Sequence, residues 1–422
     1  MKISPARIAA FDVLLRVEND RAFSSVLLPA AEEGLSQADR ALCHELVLGT
    51  LRRQIYLDKL IDSLSGGKRL DNAVRIAVRI GLYQLLFLDR IPDHSAVNES
   101  VNLIQKAKKT SAKGFVNAIL RRAAREQLDL KFLDRIEQLS VETSHPQWLL
   151  EKWIAEFGRE KAGLIAAVNN QVPAQAFRSI DGRPIHVASS MPSKFVEGCY
   201  LLSRDMDASS IIGSDDIYFQ DEGSQMVAAA VRVLAGGRFL DVCASPGGKT
   251  GYIASHTNAR SIYAGDLYWQ RVEMLSDNCR RQRADAQIVQ YDAESSLPFQ
   301  DSSFECVFVD APCSGTGTIR HNPEIRYFLQ PEDIAILAKK QLAILKNASK
   351  LVTHEGSLVY STCSLEFEEN EEICRNFLDA SNEFGLVPPN VDERFLTGDG
   401  FARTFPHRDG MDGFFIAEFR RE

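Results

Sequence analysis

The sequence lacks the features that mark secreted, membrane-spanning and zinc-binding proteins. Its eight cysteines form no Cys-x-x-Cys pair and no evenly spaced framework, which argues against a zinc site or a disulfide-stapled fold. No apolar run approaches the length of a membrane span, since the stretch 80–88 is short and contains Gln84. The first twenty residues carry Asp12 and Glu18 and lack a small-residue cleavage site, unlike a signal peptide. We therefore expect a cytoplasmic protein with reduced thiols, no metal and no membrane partner.

An overall basic charge, typical of chains that bind nucleic acid over a broad surface, is also missing. The net charge is -8 at pH 7, but residues 1–130 contain 20 Lys plus Arg against 15 Asp plus Glu, so this part is net positive by 5 and the remainder carries -13. One run between residues 106 and 125 is basic without an acid, and we call it the basic cluster: Lys106, Lys108, Lys109, Lys113, Arg121, Arg122 and Arg125. Such a run is either a phosphate-binding patch or a solvated helix face.

The amino-terminal third has the periodicity of helices. With 422 residues, the chain is long enough for two or three domains. Ser4 is predicted as an N-cap and Pro5 as the first residue of the opening helix. Apolar residues then recur at helical spacing to about residue 135, with few alternating β-branched residues between them. We therefore predict an all-helical domain over residues 1–135.

The pattern changes twice after the helical region. Residues 146–215 contain a helix with a tryptophan and short strand-like pieces at 176–180 and 184–187, which predict a small mixed α/β arm. From residue 216 to 422, apolar strands alternate with amphipathic helices, which is typical of a doubly wound α/β domain with a ligand at the carboxyl ends of its strands. The predicted strands are 238–243, 261–265, 286–291, 305–310, 356–361 and 412–420.

A glycine-containing turn follows the first of these strands, in the segment Asp241-Val-Cys-Ala-Ser-Pro-Gly-Gly-Lys-Thr250. Glycines let backbone turn sharply and approach a ligand closely. The ending Gly-Lys-Thr is similar to a phosphate-binding P-loop, but that motif requires glycine where this chain has Cys243. Asp266 lies at the end of the next predicted strand, where a carboxylate accepts hydrogen bonds from ribose hydroxyls. The glycine-containing turn and Asp266 together favour a binding site for an adenosine-containing cofactor. The alternative is that they are only an ordinary turn and a helix cap.

Two cysteines are placed where strands end. Cys313 lies in Asp310-Ala-Pro-Cys-Ser-Gly-Thr-Gly317 and Cys363 in Tyr360-Ser-Thr-Cys-Ser364, and each segment follows a predicted strand. A single buried cysteine is usually a small apolar side chain. Two thiols at the same edge of one sheet, among small polar residues, indicate a reactive thiolate.

These motifs together resemble those of the RNA cytosine-5 methyltransferases. The amino-terminal region, in segments 45–52, 81–88, 94–99 and 115–122, resembles the NusB-like helical domain that precedes the catalytic domain in the Sun/Fmu type of that family. The resemblance covers nearly the whole chain. It implies an all-α NusB-like domain, a small mixed α/β middle domain and a carboxyl-terminal Rossmann-like methyltransferase domain. The middle region departs from the family's Arg-x-Asn-like signature, because Arg178 is followed by Ser179 and Ile180.

The resemblance also implies a reaction and roles for named residues. S-adenosyl-L-methionine would be the cofactor and a cytosine of 16S ribosomal RNA the substrate, bound through the basic cluster of a monomeric enzyme. Cys363 would be the nucleophile, Cys313 would assist product release, and Asp310 would lie between cofactor and base. The cofactor-binding residues implied are Cys243, Ala244, Ser245, Pro246, Gly247, Gly248, Lys249, Asp266, Asp292 and Asp310.

The implied chemistry agrees with what cytosine requires. Carbon 5 of cytosine is a poor nucleophile, and addition of a thiolate to carbon 6 makes it reactive. A second thiol is useful because the carbon 5 proton must leave before the first thiolate is expelled. Three alternatives remain open: methylation of transfer RNA by a related enzyme, a non-catalytic NusB-like RNA-binding protein, and a P-loop ATPase.

Overall fold

A computed structural model describes residues 3–126, 128–203 and 214–422. They form two compact units: a helical unit, Met1–Gln171 with Ile319–Leu329, and a catalytic unit, Val172–Thr318 with Gln330–Glu422. The helices of the helical unit, labelled in chain order, are α1 (Pro5–Asp20), α2 (Ser24–Ala31), α3 (Gln37–Arg52), α4 (Gln54–Ser65), α5 (Asn72–Phe87), α6 (Asp93–Lys106), α7 (Lys113–Ala123), α8 (Arg135–Thr143), α9 (Gln147–Phe157), α10 (Arg159–Val168) and α14 (Ile325–Phe328).

The helical unit has the all-helical amino terminus that was predicted. Helix α1 begins with Pro5, and its apolar face, including Phe11 and Leu14, is buried in a core shared with α3 and α5. The predicted N-cap position at Ser4 is confirmed, although the Ser4 side chain makes no capping hydrogen bond. Instead the Ser4 hydroxyl accepts a hydrogen bond from Arg7, at 2.9 Å.

The segment Ile319–Leu329, which we call the inserted segment, comes from the middle of the catalytic sequence and packs in the helical unit. Its Arg326 is fully buried and donates hydrogen bonds to the carbonyl oxygens of Ser144, at 3.1 Å, and Asn169, at 3.2 Å. Burial lowers the pKa of Arg326 to about 10. Glu324 accepts a hydrogen bond from the backbone N–H of Ser24 at 2.6 Å. The inserted segment therefore satisfies buried polar groups that the helices leave open.

A small antiparallel sheet opens the catalytic unit. Its strands are β1 (Ala176–Ser179), β2 (Ser190–Pro192), β3 (Cys199–Leu202) and β4 (Ile217–Phe219), in the order β2-β3-β1-β4. The predicted strand at 184–187 is wrong, since no strand forms there and the strand after β1 begins at Ser190. Ile185 and Val187 pack against the core of this sheet, and the Ile185 N–H donates a hydrogen bond to the Tyr200 hydroxyl at 3.3 Å instead of joining a strand. Residues 204–213 of the predicted arm lie outside the described residues.

A large mixed sheet forms the core of the catalytic unit, in the order β10-β12-β9-β8-β5-β6-β7 with β11 paired to β12. Its strands are β5 (Arg238–Asp241), β6 (Ser261–Asp266), β7 (Ala286–Gln290), β8 (Phe304–Asp310), β9 (Val352–Thr362), β10 (Phe384–Val387), β11 (Ala402–Arg403) and β12 (Phe415–Arg421). The accompanying helices are α11 (Glu222–Ala230), α12 (Gly248–His256), α13 (Trp269–Arg281), α15 (Pro331–Ser349), α16 (Glu371–Asp379) and α17 (Pro406–Asp409).

The pairing directions in the large sheet determine where the sequence motifs lie. Strands β5 to β9 pair in parallel, whereas β12 pairs antiparallel to β9 and β10. The carboxyl ends of β5, β6, β8 and β9 therefore lie at one edge, which we call the carboxyl edge. The predicted fold class is confirmed: a helical amino terminus, a small sheet and a Rossmann-like sheet.

The compact units differ from the predicted ranges 1–135, 146–215 and 216–422. Helices α8 to α10 continue the helical pattern to Val168 and pack in the helical unit, so the small sheet begins only at Ala176. Among the described residues, no helix is long and apolar enough to cross a membrane.

Candidate active site

The predicted glycine turn connects β5 to α12 at the carboxyl edge. Gly247 has φ +100°, a conformation that favours glycine, and a side chain there would lie 3.0 Å from Leu275. Asp241, at the end of β5, is 1% exposed and accepts a hydrogen bond from the Thr250 hydroxyl at 2.7 Å. Burial raises the pKa of Asp241 to about 7. The Cys243 pKa is also raised, chiefly by burial, so this thiol stays neutral.

Two further carboxylates lie at or just beyond the ends of β6 and β7. Asp266, 7% exposed, ends β6 and accepts a hydrogen bond from the backbone N–H of Ser245 at 3.3 Å. It also forms a salt bridge of 3.0 Å with Arg271, which the sequence analysis missed. Asp292 is exposed two residues beyond β7, where it accepts a hydrogen bond from the N–H of Glu294 at 2.9 Å. Asp266 is thus held at the rim of the turn.

A lysine–aspartate pair connects the turn to the next strand. Lys249 and Asp310 form a salt bridge of 2.6 Å, and Asp310 also accepts a hydrogen bond from the Ser361 hydroxyl at 2.8 Å. Burial alone would lower the pKa of Lys249, but Asp310 reverses this effect and raises it, with a smaller contribution from Cys363. Lys249 therefore stays charged and is paired with a carboxylate, whereas the lysine of a P-loop binds phosphate.

The two predicted cysteines meet at the carboxyl edge. The sulfur atoms of Cys313, after β8, and Cys363, after β9, are 3.4 Å apart, and both residues are partly exposed. The pKa of Cys313 is raised, first by its hydrogen bond with Cys363, then by burial and by the nearby charge of Glu369. The Cys313 thiol therefore stays protonated, and either sulfur can donate in the contact between the two thiols. Glu369 was not predicted, although it lies in the acidic run 366–372 that follows Cys363.

The basic cluster lies on α6, α7, the turn between them and the residues just after α7, and two of its lysines pair with acids that are distant in sequence. Lys106 pairs with Asp12 at 2.5 Å, and Lys109 pairs with Asp71 at 2.8 Å. Arg122 of α7 pairs with Glu126, three residues beyond the end of that helix, at 2.7 Å. These pairs are mostly solvent-exposed and therefore weak, so their cations can exchange a carboxylate for another anion.

Fold and site together define an S-adenosylmethionine-dependent methyltransferase: a Rossmann-like sheet with a glycine turn after its first strand and a carboxylate at the end of its second. Two family models match this chain. One, described as 16S rRNA methyltransferase RsmB/F, matches residues 230–420, and the NusB family matches residues 4–125.

Curated relatives match over the full length of the chain. A probable ribosomal RNA small subunit methyltransferase B of Bacillus subtilis is 31% identical, with 100% of both chains covered. The ribosomal RNA small subunit methyltransferase B of Pseudomonas putida is 33% identical, covering 98% of this chain and 97% of its own. The chain therefore belongs to the RsmB/F family of 16S rRNA methyltransferases.

Solved structures share the fold. The crystal structure of PH0851 matches with a TM-score of 0.85 and 23% identity, with 100% of both chains covered. NSun6 from Pyrococcus horikoshii with SFG matches with a TM-score of 0.56 and 19% identity, covering 65% of this chain and 98% of its own. The second match lacks about a third of this chain, whereas the first spans all of it.

Proposed function

We propose that this protein transfers a methyl group from S-adenosylmethionine to carbon 5 of a cytosine in 16S ribosomal RNA, through a covalent bond between Cys363 and carbon 6. The observation that carries the proposal is the approach of the Cys313 and Cys363 sulfur atoms to 3.4 Å, at the edge where Lys249 and Asp310 are paired. A non-catalytic RNA-binding protein has no need of two thiols at such a distance. We expect the enzyme to act as a cytoplasmic monomer without a metal.

The residues at the carboxyl edge suit this cofactor. Gly247 and Gly248 place no side chain over the turn, so a ligand can approach its backbone. A side chain on Gly248 would also crowd Tyr218, at 3.3 Å. Asp266 is placed to accept hydrogen bonds from the ribose hydroxyls, and Asp292 is proposed to contact the adenosine. Lys249 is already paired with Asp310 and is not free to hold a phosphate, which argues against the ATPase alternative. When bound, S-adenosylmethionine supplies the methyl group.

Behind the glycine turn, Arg178 of β1 holds the backbone in place. Arg178 is 1% exposed, lies over the rings of Tyr218 and Tyr252, and donates a hydrogen bond to the carbonyl oxygen of Gly248 at 3.1 Å. It also donates to Gln282, whose amide donates to the carbonyl oxygen of Gly247 at 3.1 Å. The small sheet thus supports the turn that is proposed to bind the cofactor.

We expect Arg178→Lys to weaken S-adenosylmethionine binding about tenfold, because an ammonium group cannot keep both hydrogen bonds of the planar guanidinium. Calorimetric titration without RNA measures this effect. Arg183→Lys is the matched control: its side chain is 85% exposed and pairs with Asp181. Equal affinities in the two variants would refute the supporting role of Arg178.

The proposed reaction begins with the thiolate of Cys363. It forms a bond to carbon 6 of the cytosine, and the electron pair of the 5,6 double bond moves to carbon 5, which accepts the methyl group. Asp310 is paired with Lys249 and Ser361 and is proposed to accept a hydrogen bond from the cytosine amino group, which orients the base for attack. Covalent addition thereby divides one difficult step into easier ones.

The second half of the reaction releases the product. The proton on carbon 5 must be removed so that the double bond re-forms and the bond between carbon 6 and Cys363 breaks. Cys313 is proposed to act here, as the base or by placing one, because its sulfur lies 3.4 Å from that of Cys363. Carbon 6 is inaccessible in a stacked helix, so the target cytosine must be unpaired or flipped out.

RNA binding is assigned to the basic cluster. We expect replacement of Lys108, Lys109 and Arg121 by glutamine to weaken RNA binding and to lower the slope of log K against log salt by about 2 to 3. The physical reason is that every phosphate left without a cationic partner keeps roughly one counterion that the wild type would release. Filter binding over a range of salt concentrations gives the slope, and cofactor affinity should not change.

A matched control removes the same charge from the catalytic unit: Lys339, Lys346 and Lys350 to glutamine, at α15 and its carboxyl end. This variant should retain the wild-type slope. If both triple variants lower the slope equally, the effect is one of net charge and the basic cluster is not the binding surface.

One experiment tests the proposed reaction and its substrate. Purified protein is incubated with methyl-labelled S-adenosylmethionine and either 16S RNA or transfer RNA, and the labelled nucleotide is then identified. We expect 5-methylcytosine in 16S RNA alone. Label in transfer RNA would favour the related activity, and label on another atom or base would overturn the proposal.

A further inference from the structure

One buried carboxylate connects the loops that carry the two cysteines. Glu369 is fully buried, and its carboxylate accepts a hydrogen bond from the backbone N–H of Ser314 at 2.9 Å and further ones from the hydroxyls of Ser314 and Ser364. Ser314 follows Cys313 directly and Ser364 follows Cys363 directly. The same carboxylate therefore contacts the neighbour of each thiol.

Glu369 is itself held at both its side chain and its backbone. The Gln341 amide on α15 donates to the Glu369 carboxylate and to the carbonyl oxygen of Pro312, both at 2.9 Å. The Tyr360 hydroxyl on β9 donates to the backbone carbonyl oxygen of Glu369 at 2.6 Å. Buried charged groups are stable when hydrogen bonds satisfy them, and here the donors come from separate elements. Glu369 therefore connects the two cysteine loops alongside their direct contact, in which the Ser314 and Ser364 hydroxyls lie 3.0 Å apart.

The carboxylate of Glu369 also acts on the Cys313 thiol. Its charge contributes to the raised pKa of Cys313, after the hydrogen bond with Cys363 and burial. A negative charge beside this thiol disfavours its thiolate form.

We propose that Glu369 is a positioning residue that fixes the spacing of the Cys313 and Cys363 sulfur atoms. The role rests on the proposed function, in which Cys363 attacks carbon 6 and Cys313 assists release of the product. Glu369 itself touches neither substrate nor cofactor; it acts through Ser314 and Ser364.

Phenylarsine oxide tests the spacing without RNA or cofactor, since it forms two arsenic–sulfur bonds with a close pair of thiols and releases one water. We expect tight binding to the wild type, loss of bridging in Cys313→Ala, and binding about tenfold weaker in Glu369→Ala. Glu369→Gln should recover most of the affinity, because its amide oxygen still accepts from the Ser314 N–H. Glu418→Ala, which removes a buried glutamate from β12, should bind like the wild type.

Kinetics test what the spacing does for the reaction. We expect kcat for methyl transfer to fall about tenfold in Glu369→Ala while the KM for S-adenosylmethionine stays unchanged, and Glu369→Gln should recover most of kcat because it keeps the spacing. A wild-type kcat in Glu369→Ala would overturn the positioning role. Arsenical affinity in Glu369→Ala equal to that of Glu418→Ala would overturn the spacing assignment, as would wild-type binding no tighter than that of Cys313→Ala.

If Glu369→Ala does not fold, the double variant Ser314→Ala with Ser364→Ala removes the hydroxyl donors and leaves the buried charge. It should also weaken arsenical binding, and wild-type affinity would then decide against the proposal. The arsenical assay involves no methylation, so a failure of the proposed reaction leaves its result intact, and a failure of Glu369 leaves the proposed reaction intact.

Discussion

Cys363→Ala should form no detectable 5-methylcytosine, with a fall in kcat of at least about 1,000-fold. Loss of the attacking group in other covalent enzymes costs this much or more, because the remaining binding groups cannot make the substrate reactive. Here no sulfur would bond to carbon 6, so carbon 5 would remain a poor nucleophile. The measurement is transfer of labelled methyl to 16S RNA under single-turnover conditions.

Cys306→Ala provides the control for this variant. Cys306 is a 1% exposed thiol within β8, and burial raises its pKa to about 12, so it is inert as a nucleophile. Its variant should keep methyl transfer close to wild type once folding is verified. Substantial turnover by Cys363→Ala would end the nucleophile assignment, even if the cofactor site proved correct.

Cys313→Ala should have the opposite signature, a protein–RNA adduct that accumulates. In this variant Cys363 can still attack and carbon 5 can still be methylated, but removal of the carbon 5 proton loses its assisting group. We expect turnover to fall about 100-fold or more, while most of the enzyme becomes covalently bound to RNA. A band of reduced mobility on a denaturing gel, sensitive to ribonuclease, reveals the adduct.

The double variant Cys313→Ala with Cys363→Ala separates this explanation from tight non-covalent binding. It should give no band that survives denaturation. Free product released by Cys313→Ala at the wild-type rate would exclude a role for Cys313 in the second half of the reaction.

The strand-end motifs were the part of the site that the sequence could predict. Apolar strands followed by Asp266, Asp310, Cys313 and Cys363 imply a common edge, because parallel strands end on the same side of a sheet. The sulfur atoms of Cys313 and Cys363 lie 3.4 Å apart, which confirms that the two cysteines share an edge. The roles of these residues are proposals. Glu369 was not predicted, because the sequence of an acidic run does not show which of its side chains is buried.

The errors arose where packing and pairing diverge. Ile185 and Val187 alternate like a strand, but their side chains pack against a core while their backbone forms no strand pairing. Strand β9 begins at Val352, earlier than the predicted start at residue 356, and Glu355 within it has φ +61°. The acids that pair with Lys106 and Lys109 are distant in sequence, and only the fold brings Asp12 and Asp71 to them.

The inserted segment bears on how this chain can be dissected. A truncated chain that stops at residue 171 would keep helices α1 to α10 yet lack Arg326, so the carbonyl groups of Ser144 and Asn169 would lose the hydrogen bonds that it donates. The helical unit therefore cannot be cut out as one continuous piece of the sequence. Substitutions in the inserted segment, only a few residues after Cys313, should weaken the packing of the helical unit.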